Sequence, residues 1–286
     1  MIAAKTSKAK LGNTRKTGKE QFYTPAALAQ ELTESVAGLI PDFSARCVVE
    51  PAGGNGAFVI AAQRYGAKVI AFDIEPKHKA VQKQDFFTAQ VSTESAITLS
   101  NPPFGRNNSL SIPFFNKAAE FSDYICFVVP RSWRKWSVIN RLDRRFHLIS
   151  DQDLKIDYVD DYGYPLSKKL ALNTCFQIWQ KRDELRPLLK VVDNRFIEKV
   201  APQEADVALT VFGYGCGTVH ENFERKPNST RMFLKLGHPE SLTALKSADF
   251  SRFSRNTAYT EALSLQEINF LLNEQILGDP QLQELP

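Results

Sequence analysis

Histidine and cysteine are scarce in this 286-residue chain, four of each, and neither falls into a metal-binding pattern. His78, His147, His220 and His238 show no ligand spacing. Cys216 and His220 form one i, i+4 pair without companions, so no metal site is expected. Cys47, Cys126, Cys175 and Cys216 contain no C-x-x-C pair and read as buried, reduced thiols of a cytoplasmic protein. The longest apolar stretches fall well short of the roughly 18 residues of a membrane span, and no apolar segment follows the basic start as in a secretory signal. Also missing is a G-x-x-x-x-G-K-[ST] phosphate loop. A G-x-G-x-x-G dinucleotide fingerprint is absent too, because Ala57 and Phe58 follow Gly56 and no third glycine arrives. No internal repeat is visible.

Acidic residues are missing from one place in particular: none precedes Glu20. Lys5, Lys8, Lys10, Arg15, Lys16 and Lys19 stand in that stretch, so residues 1–20 read as a basic arm that stays disordered until a partner binds. A second cluster comprises Arg131, Arg134, Lys135, Arg141, Arg144 and Arg145. Both suit phosphate contact, or a solvated tail and helix face. Trp133 and Trp136 interleave with the second cluster, which fits base stacking or core packing. The overall charge of +4 names no partner by itself, and 43% hydrophobic with 24% charged residues is ordinary for a globular chain.

Strand and helix patterns alternate through the first two thirds. Thr24-Pro25 reads as a helix start with Thr24 as N-cap, the helix running to Leu39 and burying Leu28, Leu32, Val36 and Leu39. Apolar runs predict strands over 46–50, 68–73, 96–100, 124–130 and 175–179, with a helix over 57–65. That alternation predicts an α/β fold, a mostly parallel sheet covered by helices on both faces. After Asp183 the pattern weakens to strands over 207–212 and 231–236 and a helix over 263–277 capped by Ser264. Residues 21–183 are expected to form the catalytic domain, and 184–286 a small C-terminal α+β region that recognises substrate. The glycines of 212–217 fit a hairpin turn.

Two segments carry the chemistry. Glu50-Pro51-Ala52-Gly53-Gly54-Asn55-Gly56 lies where a strand hands over to a helix, and its glycines let the backbone turn tightly and approach a ligand. Asp73 ends the next strand, where an acid accepts ribose hydroxyls. Asp85-Phe86 follows as an acid and an aromatic able to hold an adenine ring. Asn101-Pro102-Pro103-Phe104 closes a third strand at the sheet edge where open α/β folds bind ligands. Its two prolines stiffen a turn bearing two acceptors, the Asn101 amide oxygen and the Pro102 carbonyl.

With Gln21-Phe22-Tyr23-Thr24-Pro25 ahead of them, these motifs resemble, in order and spacing, the amino-methyltransferases specific for adenine in DNA, with gamma-like motif order. The resemblance covers about residues 18–180 and implies a Rossmann-like methyltransferase fold, with S-adenosyl-L-methionine as cofactor and DNA as partner. By it, Phe22, Thr24, Glu50, Ala52, Gly54, Gly56, Asp73, Ile74, Asp85, Phe86 and Asn101 line the cofactor pocket. Asn101, Pro102, Pro103 and Phe104 are catalytic, with Phe104 stacking on an extruded base. Phe176 fits either a second base-stacking aromatic or a core strand residue. Phe176, Arg131, Trp133, Arg134 and Lys135 are the candidate substrate contacts. The short C-terminal part departs from relatives with large recognition domains, and implies a short or relaxed site. An RNA adenine methyltransferase, a protein glutamine methyltransferase and a catalytically inactive binding subunit remain as alternatives.

Overall fold

The computed structural model describes residues 22–160, 163–164 and 172–285. They fall into two compact units, one built from the chain up to Val129 and His147–Lys181, the other from Pro130–Phe146 and from Arg182 onward. The second unit is therefore discontinuous. It takes in the Arg131–Arg145 stretch, which the linear reading places with the catalytic part. Among the described residues no helix is long and apolar enough to cross a membrane.

The first unit is an open α/β sheet. Its elements are α1 (Ala26–Leu39), β1 (Cys47–Glu50), α2 (Ala57–Arg64), β2 (Lys68–Asp73), β3 (Gln82–Lys83), β4 (Ala96–Ser100), α3 (Ser111–Ala118), β5 (Ser122–Pro130), β6 (Phe146–Leu154) and β7 (Thr174–Lys181). Seven strands lie in the order β3-β2-β1-β4-β5-β7-β6. Pairs β2–β3, β1–β2, β1–β4 and β4–β5 are parallel. This is an open, Rossmann-like α/β sheet, as the sequence predicts. All five residues of β4 are buried, and in β1 so are Val48, Val49 and Glu50, as expected for central strands covered on both faces.

Two expectations for α1 need correcting. Thr24 does not cap it: Pro25 occupies the N-cap position and no side chain caps the helix. The Thr24 hydroxyl is engaged elsewhere, accepting a hydrogen bond from Asn101. Leu39 is 48% exposed, and Ile40, just past the helix end, fills the core position instead.

This topology sets the place of the site. From β1 the sheet grows outward through β2 on one side and β4 on the other, so the strand order reverses between β1 and β4. The carboxyl ends of β2, β1 and β4 lie side by side at that switch point, the ordinary ligand position of doubly wound sheets. They deliver Asp73, Glu50 and the Ser100-Asn101 junction.

The second unit contains α4 (Trp136–Ile139), β8 (Leu189–Val191), β9 (Ile197–Lys199), β10 (Val207–Thr210), β11 (Val219–His220), β12 (Arg231–Leu236), α5 (Ser241–Ser247), α6 (Ser251–Ser254), α7 (Leu265–Leu277) and β13 (Leu282–Glu284). A four-stranded sheet runs β11-β10-β12-β9, with β13 and β8 paired separately. Pairs β10–β11, β10–β12, β9–β12 and β8–β13 are antiparallel. Glycine turns at 213–217 join β10 to β11. Ser264 begins α7 with a reciprocal capping box to Glu267.

Candidate active site

The glycine loop after β1 is tied to β2 by its backbone and by one carboxylate. Gly53 N–H donates to the Phe72 carbonyl at 2.8 Å, and Lys77 N–H to the Gly54 carbonyl at 2.9 Å. Asp73 accepts from Gly54 N–H through Oδ2 at 2.8 Å and from Glu75 N–H through Oδ1 at 2.7 Å. Each oxygen keeps a lone pair for a further donor. Gly54 has φ +44°, and a Cβ there would meet the Tyr23 ring at 2.7 Å. Glycine is required by both conformation and space.

Glu50 braces the loop from behind. It is 2% exposed. Its Oε1 accepts from the Ser100 hydroxyl at 2.5 Å and from Ala52 N–H at 3.3 Å, joining the ends of β1 and β4. Its Oε2 is buried without a partner. Burial pushes this carboxyl up to about 8, with the Asp73 charge adding to the rise and the two hydrogen bonds opposing it.

The Asn101 side chain has a fixed orientation. Its Nδ2 donates to the Phe22 carbonyl at 3.2 Å and to Thr24 Oγ1 at 3.1 Å. A carbonyl only accepts, so the amide nitrogen must face Phe22. That leaves Oδ1, buried and with no partner. A bare buried acceptor costs about 1–3 kcal/mol and calls for an explanation. The Phe22–Thr24 segment is held by paired hydrogen bonds between Tyr23 and Val159, 3.2 and 3.1 Å, and by Phe22 packing on Tyr158 with ring centroids 5.3 Å apart. The Pro102 carbonyl accepts no backbone hydrogen bond among the described residues. After Phe104 the chain turns through Gly105, φ +67°, where a Cβ would strike Ser109 Oγ at 2.5 Å.

These pieces surround one cavity of about 660 Å³, within the roughly 300–1,000 Å³ typical of cofactor and ligand sites. Of the expected residues, Phe22, Ala52, Gly54, Asp73, Ile74, Asp85, Phe86, Asn101, Pro102, Pro103 and Phe104 line it. Thr24, Glu50 and Gly56 do not; the first two support the wall through the bonds above. Gly56, φ +80°, lies against the His78 ring, 2.6 Å from where a Cβ would stand. Phe86 is only 2% exposed, inside an aromatic cluster that stacks it on Phe114 at 5.4 Å. Phe87, 42% exposed, and Phe114, 8% exposed, line the cavity beside it and are less buried than Phe86. Tyr23, Phe87, Arg106 and Phe114 are lining residues that the sequence reading misses. Phe87 carried a signal, the second aromatic of Asp85-Phe86-Phe87, and Tyr23 stood within a motif already singled out.

The candidate substrate contacts fare differently. Phe176 is 2% exposed and packs in the sheet core, not at the cavity, which decides between its two readings. Trp133 is completely buried, so its ring offers no stacking face. Trp136 packs on Phe270 and Phe253, centroids 5.4 and 5.7 Å away. Lys135 donates to both oxygens of the buried Glu267, at 2.8 and 2.9 Å. Arg145 pairs with Asp143 at 2.6 Å, and Arg144 donates to the Arg186 carbonyl at 2.8 Å. Arg131 and Arg134, in the 3-10 turn Arg131–Arg134, are half-buried and interact within the protein. Much of this basic cluster is thus tied up inside the second unit.

No family model matches the sequence, and no curated protein matches it. Several solved structures resemble it. One is a Pyrococcus horikoshii protein assigned as an RNA methyltransferase, 23% identical, covering 59% of this chain and 90% of its own at a TM-score of 0.47. A Listeria monocytogenes protein assigned to the class I S-adenosylmethionine-dependent methyltransferases is 15% identical, covering 57% and 62% at 0.43. A modification subunit assigned to a type I restriction enzyme of Vibrio vulnificus is 12% identical, covering 85% and 55% at 0.42. Likenesses this distant say nothing of substrate.

Proposed function

We propose that this chain transfers the methyl group of S-adenosyl-L-methionine to the exocyclic N6 of adenine in DNA, at a short or relaxed site. The observation that carries the reading is Asn101, a residue lining the cavity: its nitrogen is pinned by Phe22 and Thr24, and its oxygen is left buried and unpaired.

The cavity fits the cofactor. Asp73 stands at the end of β2 with lone pairs to spare for two ribose hydroxyls, and Ile74, Asp85, Phe86 and Phe87 form a partly apolar wall for an adenine ring. Ala52 and Gly54 bring backbone close to the remainder, with Phe22 beside them. When bound, the cofactor supplies an electrophilic methyl group on a sulfonium.

The protein's own contribution is to aim the acceptor amine. The N6 lone pair of adenine is delocalised into the ring and is a poor nucleophile. Asn101 Oδ1 and the Pro102 carbonyl take its two hydrogens, which favours a pyramidal nitrogen with its lone pair turned toward the methyl group. The nitrogen would take the methyl group that the bound cofactor supplies, with the neutral thioether as leaving group, and would then release a proton to solvent. The prolines keep both acceptors in place, so little reorganisation is needed during reaction. Phe104, 8% exposed and on the cavity wall, is the stacking surface for a base drawn out of the helix.

The test is transfer of tritiated methyl from the cofactor to DNA, RNA and protein in parallel, followed by nucleoside analysis. Label recovered as N6-methyladenine from DNA is the expected result. Label confined to RNA replaces the substrate but keeps the site, and label on protein or none at all overturns the reading.

A further inference from the structure

We infer that Arg106 forms an anion subsite at the cavity, and that it binds a phosphodiester flanking the target adenosine. The inference rests on the adenine-methyltransferase reading above and assigns a residue that the tetrad does not include.

Three observations converge. Among the described lining residues, Arg106 is the only cation, whereas Asp73, Glu75 and Asp85 are all acidic. The acids come from the end of β2 and from the segment before Phe86. The cation lies two residues after Phe104, the proposed base-stacking residue. In the chain, then, the acids come with the β2 end and Asp85 of the lining, and the one cation comes with the tetrad segment.

The second observation is that the guanidinium is exposed and has no hydrogen-bond or ion-pair partner among the described residues. Other cations of the first unit are used: Lys117 pairs with Glu120 at 2.7 Å and Arg46 with Asp123 at 2.9 Å. An arginine without an internal partner keeps its planar fork of donors for an oxyanion.

The third is the backbone beneath it. Gly105, Asn107 and Asn108 all have positive φ, +67°, +53° and +62°. Outside glycine that region is disfavoured and persists only where the surroundings impose it. Here Leu110 N–H and Ser109 N–H donate to the carbonyls of Phe104 and Arg106, at 3.2 and 3.1 Å, and Asn108 is buried. The turn's backbone is held in one shape, so only the Arg106 side chain remains to be ordered when an anion binds. Phosphate is the anion nearest a stacked target base, since every nucleotide drawn from a helix brings its own phosphodiesters with it.

The experiment is a double-mutant cycle between protein and DNA. A short duplex that the wild-type protein methylates is prepared with a neutral methylphosphonate replacing, one at a time, each phosphate near the target adenine. Wild type, Arg106→Ala and Arg106→Lys are compared by DNA dissociation constant and by titration with S-adenosylmethionine alone. We expect Arg106→Ala to weaken binding of the unmodified duplex roughly ten- to hundredfold, with a log-log salt slope shallower by about 0.9 and unchanged cofactor affinity. One flanking methylphosphonate should cost wild type the same factor and cost Arg106→Ala nothing more. Lysine should restore part of the loss, since it keeps the charge without the fork. Additive effects at every phosphate overturn the subsite, as does a loss of cofactor affinity, which would place the guanidinium on the cofactor's carboxylate. A working DNA methyltransferase indifferent to Arg106→Ala sinks the subsite alone; a wild-type protein that methylates no DNA sinks the functional reading and the subsite together.

Discussion

Two buried oxygens without partners at the cofactor loop and the tetrad, Glu50 Oε2 and Asn101 Oδ1, lead to opposite predictions. For Asn101 the missing donor is the substrate amine. Asn101→Ala should lower single-turnover methyl transfer by about 10²–10³, the usual cost of one preorganised polar contact to a reacting group, while the dissociation constant for S-adenosylmethionine changes little. Near-wild-type rates at saturating cofactor would remove Asn101 from the reaction. For Glu50 the bare oxygen marks a carboxyl that holds its proton to about pH 8 in this fold. Its folded state binds the proton more tightly than the unfolded chain does. The stability it contributes is whole below about pH 4.5, and is lost as pH rises toward 8. The loss amounts to a few kcal/mol, about 1.4 for each tenfold difference in proton affinity. Glu50→Gln cannot ionise, so its melting temperature without added cofactor should hold up between about pH 5.5 and 8.5, where wild type declines. Parallel melting curves across that range would show that Glu50 is ionised in the fold.

At the scale of elements, stability and legibility have the same origin. Strands β1, β2, β4, β5 and β7 show in the sequence because strands buried inside a sheet are nearly continuous apolar runs. Strand β6 does not show: His147, Ser150, Asp151, Gln152 and Asp153 interrupt it, as befits an outer strand with one wet side. The site motifs were legible because strand ends and glycine turns carry their own chemistry. Arg106 and Phe114 were not, since they reach the cavity only through a turn and a helix whose course depends on Gly105 and Asn108. The basic run at 131–145 misled for a related reason. Spacing records charge, and the acid that neutralises Lys135 is Glu267, 132 residues away. Glu267 also closes the capping box of α7, and its side chain is only 2% exposed. Removing one partner of a buried pair strands the other charge and costs about 3–5 kcal/mol. Lys135→Ala should therefore cut stability on that scale in urea unfolding, and leave DNA affinity unchanged at temperatures where the protein is folded. A loss of DNA affinity with unaltered stability would return Lys135 to the nucleic-acid contacts.

For the molecule as a whole, the question is which charges remain to hold a polyanion. The net charge is only +4. Within the second basic cluster, Lys135 is bound to Glu267, Arg145 to Asp143, and Arg144 to the Arg186 carbonyl. Six cations with no acid among them precede Glu20, in a stretch that lies outside the described residues. Drawing a base from the helix costs a few kcal/mol and needs compensating contacts elsewhere on the strand. With the second cluster largely engaged, the proposed DNA-methyltransferase reading makes the six cations before Glu20 the candidate sequence-independent source of that affinity. Removing residues 1–17 deletes Lys5, Lys8, Lys10, Arg15 and Lys16 and leaves Lys19. Binding should weaken about equally on methylated-site and unrelated duplexes, because phosphate contacts carry no sequence information. The log-log salt slope should become shallower by about 0.9 for each phosphate that the arm no longer neutralises. Cofactor affinity should hold, because Phe22 and the Asp73 loop are retained. If the truncated protein kept both its affinity and its salt slope, the arm would not touch the backbone. The polyanion would then have to be held by Arg106 and by exposed cations of the second unit such as Lys199 and Lys226.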